Sequence, residues 1–380
     1  MGINKSSTLL GASTNCTQME KLRIGMLGVG HWGPNLVRNF HENPQCSVEW
    51  VCDVDPVRLS RLTEKYPALK TTQSWENVIH SDSVDAVVIS TPTASHYSIA
   101  KLALEKGKHV FVEKPIATSP QEALHLHLLA EQRGLKLMVG HIFLFNPAVQ
   151  FIKGVLDNNG LGQIYYLYSQ RTNLGPIRAD VNALWDLAPH DIAVLIYLLG
   201  NLPLDVSARG SSFINPPVAD IVFANLRFPN QIFANLHLSW LDPKKDRELV
   251  IVGSEKMLVF NDLDTEQPVR IFDKTVGPAL SEGRVADTLV LFRKSILEGN
   301  CFIPKIDPGE PLSLECRAFI DLVLHNKPQP STSWLGYQVV QVLDRISTSM
   351  AREGAPTSLT DGLSSSEPQV GTPISSFELR

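Results

Sequence analysis

Between Leu22 and Val139 the chain alternates short β-branched, apolar runs with longer segments of helical period. The runs are Arg23–Leu27, Val48–Cys52, Ala86–Ser90, His109–Val112 and Lys136–Val139. Strands alternating with helices in this way predict βαβ units and a mostly parallel sheet. Ser119-Pro120-Gln121-Glu122 marks one helix start, with a capping Ser, Pro at the first helical position and Glu three residues on. From about His141 the pattern changes. Asn146-Pro147 signals a helix, and another runs through Asp191–Leu199 until Gly200 stops it. The period then becomes two, predicting strands over Gln163–Arg171, Val206–Phe213, Asp220–Phe228, Gln231–Trp240, Leu249–Gly253, Met257–Asn261 and Val269–Phe272. Pro229-Asn230 is short enough for a hairpin, so this second sheet reads as largely antiparallel. Helices follow near Asp287–Leu297, Ser313–His325 and Trp334–Arg352, and the Ser-, Thr-, Pro- and Gly-rich tail after Gly354 reads as disordered. No internal repeat is visible.

Composition narrows the picture. At about 150 residues per domain, 380 residues suggest two domains or three. Lys and Arg number 34 against 39 Asp and Glu, a net charge of −5 that argues against a nucleic-acid partner. The densest basic stretch, Lys244-Lys245-Asp246-Arg247-Glu248, is interleaved with acids and reads as a solvated turn. A hydrophobic fraction of 43% excludes wholesale disorder. No apolar run approaches the ~20 residues of a membrane span, and Ile192–Leu199 fits a buried helix instead. Met1 to Glu20 holds only Leu9 and Leu10 as an apolar cluster, too little for a secretory segment, so a cytoplasmic protein is expected. Cys16, Cys46, Cys52, Cys301 and Cys316 form no C-x-x-C pair; they suit a reducing compartment, and no metal site is expected.

The candidate chemistry begins at Gly28-Val29-Gly30-His31-Trp32-Gly33, which follows a strand and opens a helix. In that context G-x-G-x-x-G reads as a dinucleotide-binding loop. Gly28 permits the tight turn, Gly30 lets a pyrophosphate approach, and Gly33 lets the helix pack on the strand. Asp53, 20 residues after Gly33, ends the next strand, where a carboxylate binds ribose hydroxyls and repels a 2′-phosphate. NAD is therefore favoured over NADP, although Arg58 and Arg61 follow on the next helix.

Lys114 ends a late strand, at the carboxyl edge where open parallel sheets bind ligands, and Pro115 restricts it to extended geometry. Asp186 and His190, four apart, share a helix face. An imidazole can take an alcohol proton, and an ammonium can stabilise the alkoxide character that develops. Asp186 would hold either the substrate hydroxyls or the imidazole. With the glycine loop and Ser90-Thr91-Pro92, the fragments His109-Val110-Phe111-Val112-Glu113-Lys114-Pro115 and Trp185-Asp186-Leu187-Ala188-Pro189-His190-Asp191 resemble the glucose–fructose oxidoreductase / inositol dehydrogenase (Gfo/Idh/MocA) family over approximately Lys21 to Arg352. The resemblance implies catalytic roles for Lys114, Asp186 and His190. It also places Thr91, Pro92 and Glu113 on the nicotinamide side of the cofactor, with His31, Trp32 and His96 as further cofactor contacts.

The implied architecture is α/β plus α+β, an N-terminal Rossmann doubly wound parallel sheet followed by a domain on a large, mostly antiparallel open sheet. Expected boundaries are a disordered segment over 1–20, an NAD-binding domain over 21–140, a substrate-binding and oligomerisation domain over 141–352, and a disordered tail over 353–380. The final helices are placed to pack back on the first domain, and homo-oligomers are expected through the open sheet. The stretch from Arg171 through Asp191 is similar to sugar-nucleotide members of the family, those oxidising C3 of UDP-N-acetylglucosamine. Arg171 and Arg178 suit a diphosphate or, equally, structural ion pairs. The alternative substrates are UDP-N-acetylglucosaminuronate, inositol or a free monosaccharide, or the chain binds cofactor and sugar as a non-catalytic regulator. His141-Ile142-Phe143-Leu144-Phe145-Asn146-Pro147 lacks the Asn-Arg-Arg pattern of many inositol and glucose members, which favours the nucleotide sugar.

Overall fold

The computed structural model describes residues 21–179, 181–276 and 296–360. The first sheet is parallel, in the order β3-β2-β1-β4-β5-β6. Its strands are β1 (Leu22–Leu27), β2 (Cys46–Cys52), β3 (Lys70–Thr72), β4 (Ala86–Ile89), β5 (His109–Glu113) and β6 (Leu137–Gly140). Between them lie α1 (Gly33–Glu42), α2 (Pro56–Lys65), α3 (Trp75–Ile79), α4 (His96–Glu105) and α5 (Pro120–Arg133). Helices on both faces bury every residue of β4 and β6, which is why these strands read as continuous apolar runs. β3 escapes a pattern reading because Lys-Thr-Thr offers no apolar position. Ser119 caps α5 by accepting the Glu122 N–H at 3.3 Å, while the Glu122 carboxylate turns to the N–H and hydroxyl of Thr118.

The second sheet follows α6 (Pro147–Asp157), whose start Asn146 caps by accepting the Ala148 N–H at 2.9 Å. It comprises β7 (Ile164–Leu174), then, after α7 (Ala183–Leu199), β8 (Asp205–Ser211), β9 (Ile221–Arg227), β10 (Phe233–Ser239), β11 (Leu241–Gly253), β12 (Met257–Asn261), β13 (Val269–Val276) and β14 (Ile296–Phe302). The order is β14-β13-β12-β11-β7-β10-β9-β8-β15, where β15 is Thr357–Ser358. β7 and β10 run parallel and the other pairs are antiparallel. In β9 and β10 apolar residues alternate between α7 and an open face, so Val222 and Leu236 are buried while Phe223 and Phe233 are exposed. After β14 come α8 (Pro311–His325) and α9 (Ser333–Ala351). Phe319 of α8 meets Phe40 and Phe111 edge-on at 6.3 and 5.6 Å, and α9 packs on α5, α7 and β8. The apolar core therefore continues from Met26 through Phe319 to Leu236.

Four expectations change. Lys244 to Glu248 is not a solvated turn but part of β11, because the long strand continues past its bulge against β7. Helix α7 begins at Ala183 rather than Asp191, since Asn182 accepts the Trp185 N–H at 3.0 Å and starts it a full two turns earlier. The stretch 353–360 is ordered: β15 pairs with β8 and Leu359 is buried. Ile296 and Leu297 open β14 instead of closing a helix. The remainder of that expected helix, the 1–20 segment and the tail beyond 360 lie outside the described residues.

Candidate active site

The glycine loop joins β1 to α1, and its three glycines act by different physics. Gly28 sits at φ +90°, where a side chain is strained, and a Cβ there would stand 2.8 Å from the Ser90 carbonyl group. A Cβ on Gly33 would come within 2.5 Å of the Gly28 carbonyl oxygen, so helix and loop touch only through glycine. At Gly30 a Cβ would meet nothing nearer than Arg58 Nη1 at 3.6 Å, which leaves the backbone bare toward open space. No side chain caps α1; Pro34 has no N–H and the Asn35 N–H bonds the Trp32 carbonyl at 3.1 Å, so the Gly33 N–H is the one its first turn presents to an anion. Asp53 is buried, accepting the Val29 N–H at 2.7 Å and the Asp55 N–H at 2.9 Å. These features fit a dinucleotide: a bare cradle for phosphate, a helix N-terminus and a fixed carboxylate at the next strand end. Arg58, on the following helix α2, joins them 3.6 Å from the Asp53 carboxylate.

Lys114 reaches across to the second sheet's helix. Its Nζ donates to the Asp186 carbonyl at 3.0 Å, and the Lys114–Pro115 peptide is cis. Pro189 deprives α7 of one N–H in this turn, beside the carbonyl that Lys114 bonds. Burial pushes the Lys114 pKa down, against the pull of Asp186 and Glu113. His190 is held well below its usual value by burial and then by Lys114, Arg171, His141 and Arg247, so the imidazole is neutral. Its ring tilts on Phe143 at 5.0 Å, and its Nδ1 is buried with no hydrogen-bond partner among the described residues, leaving Nε2 as the nitrogen open to the cleft. The Asp186 carboxylate does not engage His190. It accepts Arg178 Nη1 at 3.0 Å on one oxygen and the Trp240 indole N–H at 3.2 Å on the other. Trp240, fully buried, carries no motif that would have revealed it.

The structure revises two expected contacts. Both ring nitrogens of His96 face carbonyls, Pro115 at 2.8 Å and Thr91 at 2.9 Å. His96 therefore braces the ends of β4 and β5 while it borders the cleft. Arg171 takes the ion-pair role: buried, it binds Asp191 through Nε at 2.7 Å and Nη2 at 3.2 Å and stacks 4.6 Å over Phe143. Behind Lys114 lies a buried polar group that the sequence reading did not gather. Burial raises the Glu113 carboxyl to about 7, Glu315 of α8 is pushed well above its usual range by burial and then Glu113, and His141 falls to about 3.

A cavity of about 1250 Å³ connects these parts. Every site residue singled out from the sequence borders it except Gly33, which acts from behind the loop. Its wall also includes Asn146, Lys245, Arg247 and Asp262, polar residues from the second sheet and its first helix cap that no motif marked. Among the described residues no cluster of three His, Cys, Asp or Glu could hold a metal, and no helix is long and apolar enough to cross a membrane. Cys46, Cys52 and Cys316 are buried free thiols, and burial pushes the first two up to about 12.

A parallel dinucleotide-type sheet joined to an open antiparallel one, with Lys and His meeting in the shared cleft, defines a class of two-sheet oxidoreductases. The chain belongs to the Gfo/Idh/MocA oxidoreductase family: residues 22–141 match its model for the oxidoreductase family NAD-binding Rossmann fold, and residues 149–259 match its GFO/IDH/MocA C-terminal domain. A UDP-N-acetylglucosamine 3-dehydrogenase of Acidithiobacillus ferrooxidans is 31% identical over 239 residues, 63% of this chain and 73% of that protein. Its solved structure superposes with a TM-score of 0.74 at 24% identity, covering 88% of this chain and 99% of that one. Scyllo-inositol dehydrogenase from Lactobacillus casei, solved with NAD(H) and scyllo-inositol, shares the fold with a TM-score of 0.72 at 19% identity over 90% of this chain and 99% of that one.

Proposed function

We propose that this oxidoreductase oxidises a sugar hydroxyl to a ketone, at C3 of a UDP-N-acetylhexosamine, with NAD as the electron acceptor. The observation that carries the reading is that Lys114, just after β5, and His190, on α7, line one cavity that also holds the glycine loop. A nicotinamide dinucleotide bound there supplies the hydride acceptor. Gly28, Gly30 and the N-terminus of α1 cradle its phosphates, and the Asp53 carboxylate favours a ribose with free hydroxyls over a 2′-phosphate.

The chain's own groups divide the remaining work. Neutral His190 receives the hydroxyl proton on Nε2 as hydride leaves the carbon, and then releases it to water in the open cleft. Lys114 donates to the same oxygen as negative charge grows on it, fixed meanwhile by the Asp186 carbonyl. Asp186, held by Arg178 and Trp240, shapes the wall beside the sugar. The identity of the relative supports the nucleotide sugar, and buried free thiols suit the reducing conditions of a cytoplasm. Replacing Lys114→Met or His190→Asn should lower NADH production with UDP-N-acetylglucosamine by roughly 10²- to 10⁴-fold, while NAD affinity, read by fluorescence titration, stays near wild type. Unchanged turnover in both variants would remove the assignment, and turnover of free sugars but not UDP-sugars would replace the substrate.

A further inference from the structure

Strand β11 carries a cationic ladder that the mechanism leaves unused. Arg247 pairs in register with Arg171 of the neighbouring β7, so two guanidinium groups stand side by side on the face turned to the cavity. Like charges directly opposite on adjacent strands destabilise a sheet unless something neutralises them. Each guanidinium has one carboxylate: Arg171 has Asp191, and Arg247 Nη1 lies 3.1 Å from Asp262. Asp262 is held from its other oxygen by Asn146 Nδ2 at 3.3 Å, which fixes Arg247 in place. Lys245, two residues earlier, lines the same cavity, and its ammonium has no ion pair among the described residues. Its neighbour Lys244 behaves differently, pairing with Asp246 at 2.7 Å and staying off the cavity wall.

The second-sheet wall thus presents more positive charge than its carboxylates balance. Arg171 is closed off by Asp191, which takes both its Nε and its Nη2, whereas Arg247 meets Asp262 through Nη1 and Arg178 meets Asp186 through Nη1. The two ammonium groups on this cavity, Lys114 and Lys245, are the cations without a carboxylate within ion-pair distance among the described residues. Lys114 is placed for the reacting oxygen. We infer that Lys245, with Arg247 oriented by Asp262 and Asn146, forms the phosphoryl-binding subsite that receives the diphosphate of a nucleotide-sugar substrate. The inference rests on the nucleotide-sugar reading above and assigns its anion to residues outside the family motifs.

Binding of UDP alone tests this, measured calorimetrically on the full chain saturated with NAD. Wild type should bind UDP, with affinity falling as salt rises. Lys245→Ala should weaken binding by about tenfold, the scale of one charge-assisted hydrogen bond, and Lys245→Arg should restore most of it. Lys244→Ala should leave it unchanged. In the oxidation assay Lys245→Ala should raise KM for the UDP-sugar at unchanged kcat, because the contact holds substrate and transition state alike. Equal UDP affinity in wild type and Lys245→Ala would overturn the subsite while leaving the substrate reading intact. Failure of wild type itself to bind UDP would overturn the substrate reading, and the subsite with it.

Discussion

The two sheets solve the problem of building a site in opposite ways. The parallel sheet is covered on both faces, its strands β4 and β6 are buried throughout, and its binding groups are largely backbone: bare glycine, the N–H at a helix start, one carboxylate pinned by two amides. The antiparallel sheet is covered on one face, and what it brings to the cleft is side chains with individually arranged partners, such as Arg178 and Trp240 on Asp186 or Asp262 on Arg247. A backbone site tolerates little change in shape, because a Cβ in the wrong place meets main chain that cannot move. A side-chain site tolerates shape change but depends on charge balance. The first sheet can thus keep one ligand class, while the second can alter its substrate by exchanging partners.

The sharpest break of this contrast is steric. Gly33→Val should abolish dinucleotide binding, read by fluorescence titration, since its Cβ would stand 2.5 Å from the Gly28 carbonyl oxygen; retained binding would show that the loop is more plastic than its backbone contacts imply. In the second sheet the corresponding weak point is charge. Asp191→Ala leaves Arg171 buried without its partner and should cost about 3–5 kcal/mol in urea denaturation. Replacing both residues with apolar ones should recover much of that loss, whereas equal loss in single and double variants would assign the cost to packing instead.

A smaller effect separates the groups behind Lys114 by the sign of their pH response. His141 has a folded pKa near 3, below its unfolded value, so its contribution to stability is present above about pH 6.5 and is lost as pH falls through 3. Glu113 is raised to about 7, so its contribution is present below its unfolded value and is lost as pH rises through 7. The stability of His141→Leu relative to wild type should therefore grow as pH drops from 6.5, and that of Glu113→Gln should grow as pH climbs toward 7. Urea midpoints at several pH values would decide, and parallel curves would contradict both assignments. The smallest expected change in protomer stability lies on the open face, where Tyr166, Phe223 and Phe233 are exposed at 45%, 48% and 53%. We propose that copies of the chain pair over this face. Phe233→Glu should then shift sedimentation toward the monomer, and an unchanged sedimentation profile would place any assembly elsewhere.

Local signals made the first sheet legible. Strand and helix periods, the glycine spacing, Asp53 and Glu113-Lys114-Pro115 all lie within short windows, and in a parallel sheet the order of strands places their carboxyl ends together. The 20-residue step from Gly33 to Asp53 was readable because a single βα unit fixes it. Period two likewise announced the second sheet, but not its wall of the cleft. Lys245 and Arg247 looked like a solvated turn because their acidic neighbours sit next to them in sequence, while alternation along a strand and its bulge decides which of them face inward. Arg171 offered two chemistries, and Asp191, 20 residues away on α7, selected the ion pair.

By itself, then, the sequence determined the glycine loop and the two-sheet plan, because each depends on backbone geometry or spacing that a few neighbouring residues enforce; Lys114, 72 residues from Asp186, was joined to it and His190 only through the family resemblance. The tertiary structure alone decided which charges are neutralised, that His96 braces two strand ends, that Trp240 and Arg178 hold Asp186, and that Lys245 faces the cleft without a carboxylate. Those outcomes depend on which distant side chains arrive within about 3 Å of one another, a property of packing that no local pattern encodes.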